Sequence, residues 1–175
     1  MKNHFVELPV VTGEGEFRAR YSEKGLAGLS FPERRRPNGR KDISAAWGTA
    51  AGHGQLNRWH RLTQAALNRV LAGRAPGRLP PLDWSGATAF QKSVWRELLK
   101  LAPGVTRSYG QIAAAIGRPR AVRAVGGACG ANPIPVLVPC HRVLAANQKL
   151  GGFSAGLAWK RKLLAREGVN GLSAE

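Results

Sequence analysis

Residues 108–132 read SYGQIAAAIGRPRAVRAVGGACGAN, and this stretch contains the signals for two short helices joined by a glycine-containing turn. Ser108 and Gln111 have the spacing of a capping box, in which each side chain bonds the other residue's backbone N–H. Gly117 can end the first helix, because glycine readily takes the left-handed conformation found there. Pro119 lies near the start of the second helix, where a missing N–H is tolerated. A short helix, a turn and an arginine-containing helix are typical of a helix-turn-helix.

The second of these helices has two different faces. Val122, Val125 and Cys129 recur at helical spacing and predict a buried stripe. Arg120 and Arg123 fall together on another face. Two glycines in the middle of the helix cost about 1 kcal/mol each relative to alanine, but they would let a partner backbone approach closely. An amphipathic helix with solvated arginines is the simpler interpretation, and a helix lying in a nucleic-acid groove is the alternative.

Further helices are predicted on both sides of this pair. Thr88 and Gln91 form a second capping box at the start of TAFQKSVWRELLKL, residues 88–101. The apolar residues of that segment recur at helical spacing, and they are Phe90, Val94, Trp95, Leu98 and Leu101. The segment GLAWKRKLLAREG, residues 156–168, predicts a C-terminal helix whose apolar side continues into Glu167.

The beginning of the chain has the pattern of a small sheet. Alternating residues predict three short strands over 5–11, 16–21 and 25–31, with glycine-containing turns between them. The basic segment PERRRPNGRKD follows, including the arginine-rich residues 33–41. We interpret it as a solvated loop, with contact to phosphates as the alternative.

A helix and a proline-rich linker complete the first part of the chain. Apolar residues at helical spacing predict a helix over 55–73, which Gly73 can end. We place a domain boundary near residue 82. The expected fold is α+β, with a small N-terminal antiparallel sheet and a helix in residues 1–82. Residues 83–175 then form a mainly helical C-terminal domain that contains the helix-turn-helix.

Composition restricts the partners and the compartment. The formal net charge is +17, with 27 Lys and Arg against 10 Asp and Glu, which favours a polyanionic partner such as nucleic acid. Two cysteines are too few for a disulfide framework, so we interpret both as reduced thiols. No apolar stretch is long enough to span a membrane, and the N-terminus is too short and too acidic for a signal peptide. We expect a cytoplasmic protein with no membrane partner.

Cys140 and His141 stand side by side after the apolar run PVLV and a proline. A cysteine attacks as the thiolate, and a histidine can supply the base that forms it. Neighbouring residues of an extended chain point to opposite faces, so a proton would pass between them only across a turn or through a water. A structural cysteine beside a surface histidine is the simpler interpretation of the dipeptide alone. Glu167 favours a catalytic one, because a carboxylate on a buried stripe at a helix C-terminus needs a partner such as an imidazole.

The segment before the cysteine contains three prolines within seven residues. Proline lacks the N–H that a central strand requires. We therefore expect residues 132–140 to be extended but not paired in a ladder. Asn132 precedes Pro133, so its side chain is free to bond the nearby backbone.

Together the motifs VPCHRV, NPIPVL, SYGQIA and RAVRAVGGA, followed by G-F-S-x-G and LLAREG, resemble the O6-alkylguanine-DNA alkyltransferases. The resemblance covers about residues 88–168, and the earlier residues fit the family's variable N-terminal domain only loosely. It implies direct-reversal repair of double-stranded DNA in which the damaged base is flipped out of the duplex. The alkyl group of O6-alkylguanine, or of O4-alkylthymine, would pass irreversibly to Cys140, once per chain. No cofactor is implied, and no N-terminal Cys/His cluster is present for the zinc that some members bind. A monomer is expected.

The resemblance also implies roles for individual residues near the cysteine. His141 would deprotonate Cys140 through a water, and Glu167 would orient His141. Tyr109 would bond the base and crowd its phosphate. Asn132 would brace the turn beside Cys140.

On the DNA side, Arg123 would be the finger that fills the vacated stack, on a helix that enters the minor groove. The other implied DNA contacts are Tyr109, Ala121, Val122, Gly126, Thr88 and Ser108. Val143 and Ser154 would contact the base through backbone groups. The family often has tyrosine where Phe153 stands, so the shape of the base pocket and its tolerance for larger alkyl groups stay open.

Two other functions are weighed against this one. A cysteine hydrolase would use an oxyanion hole and a distant histidine, and it would leave the basic helix unexplained. A helix-turn-helix regulator would read the major groove and would tolerate Cys140→Ala. Family relatives that bind lesions without repairing them carry tryptophan at the cysteine position, so Cys140 argues against that function.

Overall fold

A three-stranded antiparallel sheet forms the N-terminal part of the computed structural model, which describes residues 5–32 and 50–172. Its strands are β1 (Val6–Thr12), β2 (Gly15–Ser22) and β3 (Gly25–Ser30), in the order β1-β2-β3. The three predicted strands are confirmed. The basic loop of residues 33–41 lies outside the described residues.

Helix α1 (Ala50–Leu71) follows the sheet and contacts β1 and β2. Its buried side includes Trp59, Leu67 and Val70, so the predicted helix is present and begins earlier than expected. Gly73 ends it in the left-handed region, with φ of 72°. No helix in residues 5–32 or 50–172 is long and apolar enough to cross a membrane.

Helices α2 (Ala89–Leu98) and α3 (Tyr109–Ala115) both begin at complete capping boxes. The hydroxyl of Thr88 accepts from the Gln91 backbone N–H at 3.2 Å, and that of Ser108 accepts from Gln111 at 3.1 Å. Gly117 has φ of 72° directly after α3. The predicted starts of both helices and the glycine end of α3 are therefore confirmed.

Helix α4 (Val122–Gly130) is shorter than the sequence predicted. Residues 118–121 form a turn instead, closed by a 2.9 Å bond from the Ala121 N–H to the Arg118 carbonyl. The expected helix start near Pro119 is therefore wrong. The buried face of α4 is made by Val125 and later residues, whereas Val122 in the first turn is 41% exposed.

The chain between α4 and the cysteine is folded into a turn. The Val138 N–H donates to the Ile134 carbonyl at 2.9 Å, and Val136 has φ of 74°. The expectation of an extended segment over residues 132–140 is wrong, because prolines fix φ without dictating an extended ψ. An isolated bridge between Pro135 and Val138 is the pairing seen within this segment.

Two short parallel strands then tie the cysteine segment to the start of α3. Strand β4 (Arg107–Ser108) pairs with β5 (Val143–Leu144), with Arg107 opposite Val143. Helix α5 (Leu157–Arg166) closes the described chain. One hydrophobic cluster includes residues of both halves, from Phe17 to Leu163. The domain boundary near residue 82 stays a prediction.

The backbone at Gly73 is packed against the end of α5, which gives a stability test. A Cβ built at Gly73 would collide with the Arg166 carbonyl oxygen, and the φ of 72° already disfavours alanine. Gly73→Ala is therefore expected to lower the free energy of unfolding by about 2 kcal/mol or more. Gly54→Ala is the control, because a Cβ there meets nothing within 4 Å. Alanine within a helix should raise stability by about 0.5–1 kcal/mol. Urea unfolding measures both, and equal effects would contradict the packing at Gly73.

Candidate active site

Cys140 and His141 lie in a 3-10 turn, Cys140–Arg142, between the proline segment and β5. The Arg142 N–H donates to the Pro139 carbonyl at 3.1 Å, and the Cys140 N–H donates to the Val138 carbonyl at 2.8 Å. Cys140 is 4% exposed and His141 is fully buried. The objection that an extended chain would separate the two side chains therefore does not apply.

Asn132 holds the turn to the segment before it. Its Nδ2 donates to the Val138 carbonyl at 2.8 Å and to the Cys140 Sγ at 3.2 Å. Its Oδ1 accepts from the Ile134 N–H at 3.0 Å. Because one buried amide satisfies both the backbone and the thiol, the position of Cys140 is fixed by the fold of the proline segment.

Glu167 reaches the same turn from the C-cap of α5. Its side chain is 1% exposed, and Oε1 lies 3.0 Å from His141 Nε2. Burial alone would raise the pKa of Glu167, but hydrogen bonds from His141 and Arg142 outweigh it and lower the pKa to about 2. Glu167 is therefore an acceptor near neutral pH, which makes Nε2 the protonated ring nitrogen of a neutral His141.

The other ring nitrogen of His141 is available as a base. Nδ1 is buried and has no hydrogen-bond partner among the described residues. Burial lowers the pKa of His141, and the hydrogen bond to Glu167 opposes that shift. Burial also raises the pKa of the Cys140 thiol, against the hydrogen bond from Asn132 and the charge of Lys160. The resting pair is thus a thiol and a neutral imidazole with a free lone pair.

Arg142 is a site residue that the sequence reasoning missed. Its Nη2 donates to Glu167 Oε1 at 2.8 Å, and its Nε donates to Oε2 at 3.0 Å. Its Nη1 donates to the Leu101 carbonyl. The signal available in the sequence was an arginine following directly on the Cys-His pair at the end of an apolar run.

Lys160 is a second site residue that was not predicted from the sequence. It is fully buried on α5, and its Nζ donates to the Val143, Leu150 and Gly152 carbonyls. A lysine among three other basic residues in KRK and AR gave no sequence signal for burial.

Tyr109, the first residue of α3, lies against the loop after β5. A Cβ at Gly151 would lie 3.2 Å from its hydroxyl oxygen, so the ring packs on that backbone. Burial and the two neighbouring thiols raise the pKa of Tyr109 to about 12. Its hydroxyl therefore stays protonated and can donate.

An open cleft of about 390 Å³ is lined by one of the residues expected to form the base pocket, Ser154, whereas Val143 and Phe153 do not line it. Ser154, Asn132 and Pro135 line it, together with Phe31 from the end of the sheet. Phe153 makes an edge contact with Phe31, with ring centroids 5.7 Å apart. Val143 lies beneath the site, fully buried in β5. The base-contact roles of Val143, Ser154 and Phe153 stay predictions.

Most of the residues expected to contact DNA lie at helix starts, and Gly126 lies in the middle of α4. Arg123 and Val122 are exposed in the first turn of α4, and Ala121 and Gly126 are half-buried. Thr88 and Ser108 are N-caps, so their hydroxyls are engaged with backbone N–H groups. No Asp or Glu occurs in the sequence between Glu97 and Glu167, so this whole stretch carries only positive charges.

No three His, Cys, Asp or Glu side chains lie close enough to hold a metal ion within residues 5–32 and 50–172.

The chain is similar to several known proteins. Residues 89–169 match the family model for the DNA-binding domain of 6-O-methylguanine DNA methyltransferase. The chain is 40% identical over 152 residues to a methylated-DNA–protein-cysteine methyltransferase of Methanosarcina barkeri, covering 85% of this chain and 88% of that protein. It is 50% identical over 101 residues to the Mycobacterium tuberculosis protein of the same name. That alignment covers 58% of this chain and spans about three fifths (61%) of the relative's length.

Solved structures are similar over nearly the whole chain. The crystal structure of Mycobacterium tuberculosis O6-methylguanine methyltransferase has a TM-score of 0.68 at 32% identity and covers 94% of this chain and 93% of its own. The M. tuberculosis protein in complex with DNA has a TM-score of 0.62 at 34% identity, with the same coverage. The α+β fold class is confirmed by this likeness.

Arg142 provides a test of the buried network. Arg142→Met would leave the Glu167 carboxylate buried without its bidentate partner, so we expect the free energy of unfolding to fall by about 3–5 kcal/mol. Arg161→Met is the control, because Arg161 is exposed on α5 and surface substitutions usually change stability by about 0.5 kcal/mol or less. Denaturant unfolding near neutral pH measures the difference. A cost below about 1 kcal/mol for Arg142→Met would mean that the ion pair behaves like a surface pair.

Proposed function

We propose a direct-reversal DNA repair function for this chain, which belongs to the family of methylated-DNA–protein-cysteine methyltransferases. The alkyl group of O6-alkylguanine, or of O4-alkylthymine, is transferred to Cys140. The observation that carries this proposal is the buried contact between Glu167 and His141 Nε2. That contact leaves the lone pair of His141 Nδ1 free, on the residue that directly follows Cys140.

The reaction follows from the protonation states of these groups. A water between His141 and Cys140 passes the thiol proton to Nδ1. The thiolate then attacks the alkyl carbon, so an S–C bond forms as the C–O6 bond breaks. Guanine leaves as an anion with its C6 keto group restored, and the Tyr109 hydroxyl stabilises it by donating a hydrogen bond. The base then takes up one proton, which balances the proton that His141 Nδ1 accepted from the thiol and releases again. Glu167 stabilises the imidazolium while it exists.

The transfer occurs once per chain. A thioether has no good leaving group, so the alkyl chain stays on the Cys140 sulfur. Repair is therefore stoichiometric, with one chain consumed for each lesion. No cofactor takes part in any of these steps.

DNA binding is assigned to the unit formed by α3, the turn of residues 118–121, and α4, as a helix-turn-helix. The exposed Val122 and the small residues Ala121 and Gly126 give α4 a low profile, and this supports entry into the minor groove. Arg123 projects from the same turn and takes the place of the flipped base. Thr88 and Ser108, at the starts of α2 and α3, contact the backbone through their N-terminal turns.

The base enters a pocket bounded by Tyr109, Ser154 and Phe153. Asn132 keeps the thiol in position, and the Val143 and Ser154 backbones bind the polar edge of the base. We further propose that the protein acts as a monomer on double-stranded DNA, in the cytoplasm, without a membrane partner.

The nucleophile is tested by intact mass. Cys140→Ser should abolish methyl uptake from duplex DNA containing O6-methylguanine, because a hydroxyl ionises far less readily than a thiol. Cys129→Ser should retain uptake, because burial raises the pKa of Cys129 to about 12 and leaves it protonated. The expected product carries one methyl group, on Cys140 by peptide mapping. A methyl group on Cys129, or uptake by Cys140→Ser, would overturn the assignment.

Two substrates, duplex DNA and a free base, distinguish the role of Arg123 in base flipping from the role of Glu167 in the chemical step. Arg123→Ala should slow single-turnover repair of duplex DNA by about tenfold to a hundredfold, since holding a base out of the stack costs a few kcal/mol. Its reaction with free O6-benzylguanine, which needs no flipping, should be little changed. Glu167→Gln should slow both reactions together, because His141 is held less firmly and its imidazolium is less stabilised in either case. Arg161→Ala serves as a control for a lost surface charge. An equal loss on both substrates for Arg123→Ala would make Arg123 a structural residue.

A further inference from the structure

Lys160 is a buried cation without a carboxylate partner in the described part of the chain. Its Nζ donates to the Val143 carbonyl at 2.6 Å, to the Gly152 carbonyl at 3.4 Å and to the Leu150 carbonyl. The residue is fully buried, and this burial lowers its pKa to about 8. A methionine would fill the same space without the desolvation cost. The charge therefore needs an explanation beyond packing.

The groups around Lys160 identify which negative charge it faces. The Val143 carbonyl that Lys160 bonds belongs to the residue that ends the Cys140–Arg142 turn. Burial lowers the pKa of Lys160, and negative charge on Cys140 or Cys129 opposes that shift. Cys129 on α4 has its pKa raised to about 12, first by burial, so it stays protonated. Tyr109 on α3 likewise has a pKa of about 12.

The remaining carboxylate of the site is already neutralised. Glu167 is held by the Arg142 guanidinium and the His141 imidazole. The negative charge that lacks a partner is therefore the one that forms on Cys140 during the reaction.

We infer that Lys160 is the counter-charge of the Cys140 thiolate, fixed in place by the backbone of residues 143–152. The inference rests on the proposed function, in which Cys140 must ionise before it attacks. The carbonyl cage gives the ammonium a defined position without cancelling its charge, because carbonyls are dipoles and not anions. The same charge disfavours protonation of His141, so it keeps the imidazole in its basic form until the thiol proton arrives.

The test removes the charge and measures the thiol directly. Lys160→Met is made in a Cys129→Ser background, so that Cys140 is the one thiol that titrates. Ultraviolet thiolate absorbance should show the Cys140 midpoint raised by about one to two pH units, the size expected for one nearby unit charge. Near neutral pH, the reaction with free O6-benzylguanine should slow by about tenfold to a hundredfold. The loss should shrink as pH rises, since the thiolate then forms without help.

Lys162→Met is the matched control, with the same substitution two residues away on α5. Lys162 is partly exposed and pairs with Glu14, outside the site. It should leave the thiol midpoint and the reaction rate unchanged. Circular dichroism melting checks that each variant folds. If Lys160→Met does not fold, Lys160→Gln replaces it, because its amide can still donate to the carbonyls without carrying charge.

The outcomes distinguish this inference from the proposed function. An unchanged thiolate midpoint, with a rate lowered equally at every pH, would overturn the inference and make Lys160 a backbone clamp. A raised midpoint in the variant would support it even if the wild-type chain took up no methyl group. Absence of methyl uptake by the wild-type chain would instead refute the proposed function, because the absorbance measurement needs no alkylated substrate.

Discussion

The buried ion pair between Arg142 and Glu167 is the constraint on which the site depends. It joins the Cys140–Arg142 turn to the end of α5, and a third bond from Arg142 reaches the Leu101 carbonyl after α2. Either charge left alone in this environment would cost several kcal/mol. Because Arg142 keeps Glu167 ionised, the carboxylate can hold His141 in one tautomer without taking its proton. Structural stability and the basicity of Nδ1 therefore depend on the same contact.

The N-terminal sheet holds the same helix end from the other side. Glu14, in the turn between β1 and β2, pairs with Lys162 and Arg166 of α5. Arg166 also donates to the Leu71 carbonyl at 2.5 Å, and its own carbonyl lies against Gly73. The contacts of Arg166 with Glu14, with the Leu71 carbonyl and with Gly73 fix the residue just before Glu167. A part of the chain that contributes no reacting group thus helps to set the distance between Glu167 and His141.

Local signals in the sequence predicted the starts of α2 and α3, because a capping box is satisfied within four residues and does not depend on tertiary packing. Helix α4 has no side-chain cap, and its start was not predicted. The turn of residues 132–140 could not be predicted in the same way. Prolines excluded a strand, but the turn is held by side-chain bonds from Asn132 that exist only in the folded chain. Arg142 and Lys160 were missed for a related reason. In a chain with 27 basic residues, nothing in the sequence distinguishes the buried Lys160 from the exposed lysines and arginines, and the position of Arg142 after the Cys-His pair was the one signal for its burial.

A nucleophile that is used once has requirements that differ from those of a recycling enzyme. Any reaction of Cys140 with an oxidant or a stray electrophile would consume the whole protein, and such reactions follow the thiolate fraction and exposure. Burial raises the thiol pKa and keeps the resting state protonated. When the substrate is bound, the imidazole of His141 accepts the thiol proton, and the ammonium of Lys160 stabilises the thiolate that forms. Burial of Cys140 therefore protects the thiol in the resting state, whereas the charged groups of the site activate it during transfer. Because the two effects have different sources, stronger protection does not require weaker activation.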